Sequence, residues 1–147
     1  GGRGGGIVFV FADYVLPDND FGNVEALHAN GGIGNVGTVD NGLPPPLPRA
    51  LGSEGGGGGG AGGSVLLYVG SVGAEIAVRA NGANGGDGAG TGAAGGGGGG
   101  AGRPVIYGDF SSITCEAEGG AGGVGPGAAN DGQPANSGTC TTRAPIR

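Results

Sequence analysis

The glycines of this chain recur in steps of three, and this spacing limits its fold more than any other feature. Two runs of six glycines lead directly into apolar stretches, as GGGGGGAGGSVLLYV from residue 55 and as GGGGGGAGRPVIY from residue 95. Glycine supplies 44 of the 147 residues. An ordered glycine costs roughly 0.5–1 kcal/mol more backbone entropy than an alanine. An ordered fold of this composition therefore needs extensive main-chain contacts.

The spacing itself predicts how those contacts form. A period of three is that of a polyproline-II-type helix, which has three residues per turn and no internal hydrogen bonds. Only glycine lets two such backbones approach to hydrogen-bonding distance. The sequence thus predicts a bundle of polyglycine-II segments, whose glycines are Gly31, Gly34, Gly37, Gly82, Gly85, Gly88, Gly119, Gly122 and Gly125.

Three internal repeats lie under loops of unequal length. They cover about residues 1–54, 55–94 and 95–147 of a single Gly-rich repeat domain, with a Pro-rich spacer at 41–54 inside the first. When the end of each glycine run is aligned, the apolar segments begin at equivalent positions Ile7, Val65 and Val105, and glycine precedes each start by three and by six residues.

A second, shorter segment follows each apolar run and alternates with period two, which is typical of a half-buried strand. Aligning NVEALHANGG, AEIAVRANGANGG and SITCEAEGGAGG predicts one inward row of Leu27, Val78 and Cys115 and one outward row of His28, Arg79 and Glu116, with Glu25 as an exception in the row of Ile76 and Ile113. The predicted fold is all-β plus polyglycine-II, with a short-strand hairpin in each repeat and no α-helix.

Charge and composition exclude several classes of partner. The net charge is −6 and the sequence contains no lysine, so there is no basic stripe to follow a phosphate backbone. No apolar stretch approaches the twenty residues of a membrane span. Two cysteines in such a chain favour an oxidising, extracellular setting. Because the sequence begins at Gly1 without a methionine or a signal peptide, we expect a processed form or a piece of a longer protein.

The glycine triplets resemble those of known Gly-rich proteins. Bundles of polyproline-II helices occur in the snow flea antifreeze protein and in the adhesin tips of some phage long tail fibres, and runs such as ANGG and GGGGGG ahead of GGS are similar to secreted bacterial Gly-rich repeat proteins. The resemblance covers about half of the chain and is compositional. It implies a packed bundle, and no functional residue is carried over.

One stretch has the composition of a metal site. PDNDFG at 17–22 places Asp18 and Asp20 ahead of Gly22, with Asp13 upstream, which is half of a calcium-binding loop. The distal glutamate of such a loop is missing, and Pro, Asp and Asn are also the ordinary residues of a turn. Calcium at Asp18 and Asp20 is therefore the weaker of two interpretations.

Two further features have a structural and a functional interpretation. LPPPLPR at 43–49 is either a stiff extended spacer, which we favour, or a PxxP ligand. His28 is the only histidine and falls in the outward row, so zinc coordination lacks its other ligands and a surface histidine is expected.

Catalytic machinery is not visible. Ser53 and Ser64 lie in Gly-rich sequence without a G-x-S-x-G elbow, and the glycine runs lack the lysine of a phosphate-binding loop. Nothing marks two of the acids Asp13, Asp109, Glu116 and Glu118 as sharing a cleft. We expect neither enzymatic activity nor a cofactor.

The two cysteines flank a loop rich in Gly, Asn and Pro. A disulfide between Cys115 and Cys140 would close this loop and remove freedom from the unfolded chain. We expect this pairing. Two free thiols and cross-links between chains are the alternatives.

The leading functional hypothesis is a structural, self-assembling extracellular protein, the subunit of a surface filament, fibre or sheath. The apolar strand at 7–15, and above all Ile7, Val8, Phe9, Val10 and Phe11, has high β-propensity and is expected to pack against another copy. The alternative is a binding module, an adhesin tip or ice-binding platform that presents loops on a rigid bundle. Surface or glycan contacts belong to that second hypothesis.

Overall fold

The computed structural model describes residues 1–16, 26–37 and 54–144. These residues form seven β-strands in two sheets and one short 3-10 turn at Ala128–Asn130, with no α-helix, as predicted. The four-stranded sheet has the order β1-β3-β5-β7 and consists of Ile7–Val15, Ser64–Val72, Arg103–Gly108 and Thr141–Arg143. The three-stranded sheet has the order β2-β4-β6 and consists of Ala26–His28, Ile76–Arg79 and Ile113–Glu116.

The predicted hairpins are wrong. Consecutive strands lie in different sheets, so the chain alternates between the two, and each strand pairs in parallel with the strand two elements further on. Alternation of side chains identifies a strand but not its partner. A parallel pair also needs a long return connection, which the Gly-rich segments supply here.

The register predicted for the three-stranded sheet is confirmed. Leu27 lies beside Val78 and Val78 beside Cys115, while His28, Arg79 and Glu116 form the neighbouring row. Since only one side of these strands carries large apolar residues, the alternation determines which side meets the core.

The alignment predicted for the four-stranded sheet is wrong by one residue at each step. Ile7 lies beside Ser64, and Val65 lies beside Pro104 instead of Val105. Both sides of these strands are apolar, so period-two alternation gives no signal for the inward side. A slip of one residue exchanges the two faces of a strand, which the structure shows here.

The hydrophobic core lies between the two sheets. Val65, Leu67, Val69 and Ile106 enter it from the four-stranded sheet, and Ile76 and Val78 enter it from the three-stranded sheet. Ala29 and Ala80 extend the core towards the Gly-rich segments. The core is therefore small and reaches only the first residues of the Gly-rich segments.

The Gly-rich segments form two layers next to the sheets. Segments 1–6, 55–63, 94–102 and 130–138 precede the strands of the four-stranded sheet and are called the first layer; segments 29–37, 80–88 and 117–125 follow the strands of the three-stranded sheet and are called the second layer. Within a layer, every third residue donates its N–H to the next segment. Gly31, Gly34 and Gly37 donate to the carbonyls of Asn81, Asn84 and Asp87 at 2.7–2.9 Å.

Main-chain hydrogen bonds also join the two layers. Gly57, Gly60 and Gly63 donate to Asn35, Gly32 and Ala29 in turn, so the layers run antiparallel. Because these bonds place backbones side by side, a side chain has no room at most of the contact positions. Main-chain contacts thus hold the part of the molecule that the apolar core does not reach.

Asparagine and aspartate side chains complete the outer surface of the second layer. Each accepts a hydrogen bond from a backbone N–H of the following segment that the layers themselves leave unpaired. The bonds run from Asn81 N to Asn30 Oδ1, Glu118 N to Asn81 Oδ1, Ala121 N to Asn84 Oδ1, and Val124 N to Asp87 Oδ1, at 2.7–2.9 Å. Ile33 lies three residues beyond Asn30 and offers no such acceptor to Asn84.

The predicted disulfide between Cys115 and Cys140 is present, with 6.2 Å between the two Cα atoms. It joins β6 to the residue before β7, and so links the last strands of the two sheets.

Candidate functional site

The outer side of the four-stranded sheet carries an exposed apolar surface, which we call the aromatic face. Its residues alternate along the strands with those that fill the core, so that burial of one side leaves the other side in solvent. Ile7 is 84% exposed, Phe9 64% and Phe11 67%. The residues of the aromatic face are Ile7, Phe9, Phe11, Leu66, Tyr68, Val105 and Tyr107.

A row of rings crosses the aromatic face from strand to strand. Phe11 stacks on Tyr68 with 4.7 Å between the ring centroids and 17° between the planes. Tyr68 stacks on Tyr107 at 6.3 Å and 26°. Such offset stacking contributes about 0.5–1.5 kcal/mol per pair beyond the burial of area. The rings are therefore held in place by one another.

A shallow groove of about 520 Å³ runs along this row and is lined by Phe9, Phe11, Leu66, Tyr68 and Tyr107. Its lining contains no charged residue. The groove is suited to apolar or ring-shaped groups.

The strand β1 lies at one edge of the four-stranded sheet and β7 at the other. Neither outer edge pairs with another strand among residues 1–16, 26–37 and 54–144. An unpaired edge presents a row of main-chain donors and acceptors to any further strand. The predicted assembly strand of Ile7, Val8, Phe9, Val10 and Phe11 thus combines an open edge with the most exposed part of the aromatic face.

The strand's own side chains divide between two roles. Val8 and Val10 are partly buried and pack against the core, whereas Ile7, Phe9 and Phe11 project to the other side. The run is therefore one half core and one half surface.

Several predicted residues fall outside the part of the chain that the structure describes. Asp18 and Asp20 of the calcium candidate do, and so does the Pro-rich spacer except for Glu54, which forms an isolated antiparallel bridge with Ala89. His28 is exposed in β2 beside Arg79, as its outward row predicts.

The acidic residues are dispersed over the surface. Glu116 forms an ion pair with Arg79, with 2.9 Å between Oε2 and Nε, and both side chains are about 40% exposed; such exposed pairs contribute little to stability. The backbone N–H of Ser111 donates to Asp109 Oδ1 at 3.0 Å, and this bond lowers the pKa of Asp109 from its ordinary value of 3.8. No three His, Cys, Asp or Glu residues of the described part converge as metal ligands.

The glycines predicted to form the bundle lie at the contacts between segments. Gly31, Gly34 and Gly37 donate within the second layer, and Gly82, Gly85 and Gly88 donate onward to Glu118, Ala121 and Val124 at 2.8–2.9 Å. Gly119 and Gly122 belong to the last segment of that layer, where a Cβ would overlap backbone atoms of residues 132–136, and the N–H of Gly125 donates to Asp131 Oδ1 at 2.8 Å.

Sequence reasoning missed two tyrosines of the aromatic face and an arginine at its edge. Tyr68 and Tyr107 were not singled out, and neither was Arg143, which lies beside Tyr107 in β7. No local pattern indicated them, because Phe11, Tyr68 and Tyr107 fall in one row only in the register that places Val65 beside Pro104.

No known family model, characterised protein or solved structure matches this chain. None of the helices among the described residues has the length and apolar character needed to cross a bilayer.

Proposed function

We propose that this chain is a structural, self-associating extracellular protein that serves as the subunit of a surface filament, fibre or sheath. The observation that carries this proposal is the coincidence of an open strand edge with an exposed apolar face in β1. Exposed apolar patches of this kind are typical of protein contact sites, and open edges favour addition of a further strand.

The proposed scaffold is a repeated one. In this proposal the Gly-rich segments are polyglycine-II helices, and the three repeats are successive turns of the chain. Each repeat contributes one strand to each sheet, and the third repeat adds β7 to the four-stranded sheet. The main-chain bonds at every third residue support it. Such a scaffold is rigid without a large core, which suits a building block better than it suits an enzyme that must close around a substrate.

The extracellular location rests on the disulfide between Cys115 and Cys140. Disulfides persist in oxidising compartments and are rare in the cytosol. The partners proposed are copies of the same chain, and no nucleic acid, cofactor or catalytic activity forms part of the proposal.

Sedimentation velocity over a concentration series tests self-association, and a pair of variants locates it. Phe9→Ser removes an exposed ring from the aromatic face and should weaken association. Val124→Ser removes an apolar residue that is similarly exposed, at 60%, but lies on the second layer, and it should leave association unchanged. A wild-type chain that stays monomeric at high micromolar concentration would refute the proposal.

A second candidate function is a binding module, and the apolar groove of about 520 Å³ favours it. Three stacked rings on a rigid sheet form a flat platform for a ligand with an apolar or ring-shaped surface. Negative-stain microscopy separates the two candidates, since rods that lengthen with concentration support assembly and discrete particles support the module.

A further inference from the structure

We propose that copies of this chain join head to tail, with β7 of one copy beside β1 of the next in a continuous parallel sheet. The inference rests on the proposed self-association and specifies its geometry. Three independent observations lead to it: the direction of the edge strands, the polarity of the main-chain bonds, and a row of side chains that ends in an arginine.

The two edge strands of the four-stranded sheet run in the same direction. All its pairs are parallel, and β1 and β7 are its outer strands. A second copy that is displaced across the strands, in the hydrogen-bonding direction, therefore places its β1 beside β7. The new pair is then parallel, like every pair inside the chain. A symmetric dimer through β1 would instead need an antiparallel pair that occurs nowhere in either sheet.

The main-chain bonds between Gly-rich segments have a constant direction. In the first layer the earlier segment always donates and the later one accepts, as in Gly2 to Gly58, Gly59 to Gly97 and Gly98 to Gln133. Carbonyl groups on the outer side of the first segment, 1–6, consequently have no partner among the described residues. The outer side of the last segment, 130–138, presents the positions of N–H donors.

If the pattern of Gly5 to Ala61 and Gly62 to Gly100 continues into a following copy, the N–H of Ser137 donates to the carbonyl of that copy's Gly4. Two first segments facing each other would oppose carbonyl to carbonyl. The complementary contact is thus between the last segment of one copy and the first segment of another. Pro134 occupies the preceding donor position and lacks an N–H, so the junction has fewer bonds than the contacts within a chain.

The side-chain row of the aromatic face has complementary ends. Phe11 lies beside Tyr68, Tyr68 beside Tyr107, and Tyr107 beside Arg143. Arg143 is exposed, and its only backbone neighbour in the sheet is β5. The head-to-tail shift brings its guanidinium next to Phe11 of the following copy, where a cation and an aromatic ring attract each other.

The two layers do not contain equal numbers of segments. Among the described residues the first layer has four segments and the second layer has three, so copies joined through the four-stranded sheet leave a space one segment wide between the described segments of the second layer. The four-stranded sheet and the first layer therefore carry the junction, and the side chains that meet across it lie in the sheet. For this reason residues 11 and 143 are the positions at which a substitution should affect assembly most.

Charged substitutions at residues 11 and 143 test the proposed contact between β7 of one copy and β1 of the next. Phe11→Arg should weaken association about tenfold, because it opposes two arginines across the junction. Arg143→Glu should weaken it by a smaller factor, about threefold, because the cation is lost. The chain carrying both substitutions should associate within about threefold of wild type, since glutamate then meets arginine, and its association should weaken as salt is added.

Within one chain these two residues lie on opposite edges of the sheet, with two strands between them. Rescue by the double variant therefore reports a contact between copies. Mixing the two single variants should restore association as well, because a junction between unlike copies pairs arginine with either phenylalanine or glutamate, and an alternating array contains only such junctions. Circular dichroism and the urea midpoint check that each variant remains folded.

The outcomes separate this inference from the proposed function. If wild type associates but Arg143→Glu has no effect and the double variant stays as weak as Phe11→Arg, copies meet through β1 or the aromatic face alone, and the head-to-tail geometry is wrong. If wild type does not associate at any concentration, self-association itself is wrong. Rescue in the double variant and in the mixture supports both.

Discussion

The contact positions of the Gly-rich layers should not tolerate a methyl group, and two adjacent glycines of one run test this directly. A Cβ on Gly99 would overlap the carbonyl group of Gly60 and lie 3.0 Å from the amide nitrogen of Ala61. The neighbouring Gly100 has no atom within 4 Å of the same position. Gly99→Ala and Gly100→Ala therefore make the same chemical change one residue apart, at a closed and at an open site.

The magnitude for Gly99→Ala follows from the bonds around it. Segments must separate locally, which disturbs the bonds from Gly99 to Ala83 at 2.9 Å, from Gly120 to Gly99 at 2.8 Å and from Ala83 to Gly60 at 3.0 Å. At about 1 kcal/mol each, their loss costs about 3 kcal/mol. Alanine restricts the unfolded chain and returns about 0.4–1 kcal/mol, so the net destabilisation is about 2 kcal/mol.

Gly100→Ala restricts the unfolded chain in the same way but breaks no hydrogen bond between segments. It should therefore raise the free energy of unfolding by about 0.4–1 kcal/mol. Urea unfolding of both variants, with the disulfide intact and at a concentration where the chain is monomeric, gives the two free energies of unfolding. If Gly99→Ala is as stable as Gly100→Ala, the close packing of main chains does not hold the Gly-rich layers together, and the reasoning fails.

Two other features lead to measurable effects. Asn84→Ala should lower the free energy of unfolding by about 0.5–1 kcal/mol and speed hydrogen exchange at the Ala121 amide, which donates to the Asn84 side chain. Ile33→Asn should raise the free energy of unfolding by a similar amount, because it offers an acceptor to the N–H of Asn84. Equal exchange at Ala121 in wild type and Asn84→Ala would contradict this. Reduction of the bond between Cys115 and Cys140, 25 residues apart, should lower the free energy of unfolding by about 3.5 kcal/mol; a chain with both cysteines changed to serine should match the reduced protein, and an unchanged midpoint would disprove the contribution.

The three-stranded sheet was predictable to the level of register because its strands have one apolar and one polar side. Val78 and Cys115 fall on the core side, and Arg79 and Glu116 on the other, so only one alignment buries the apolar set. The disulfide was expected for another reason, because the sequence has only two cysteines and their pairing closes the Gly-rich loop between them.

The candidate site was predictable only in part. The apolar run at 7–11 predicted the strand β1, whose outer side is exposed, but its alignment with the later strands was off by one residue. The inward and outward sides of β3 were thereby exchanged, and the row of Tyr68 and Tyr107 was not recognised. Where both sides of a strand are apolar, local pattern cannot tell core from surface.

The order of residues by itself determined where the strands β1 to β6 lie, which glycines occupy the contacts between segments, and which cysteines pair, because each depends on local periodicity or on the only available partner; β7 was not predicted. The tertiary structure alone decided that the strands pair in parallel across the chain and that the rings of β1, β3 and β5 form one exposed row ending at Arg143. Those features depend on contacts between residues that are far apart in the sequence. Main-chain N–H and C=O groups are nearly the same at every residue, so the sequence does not show which segments pair.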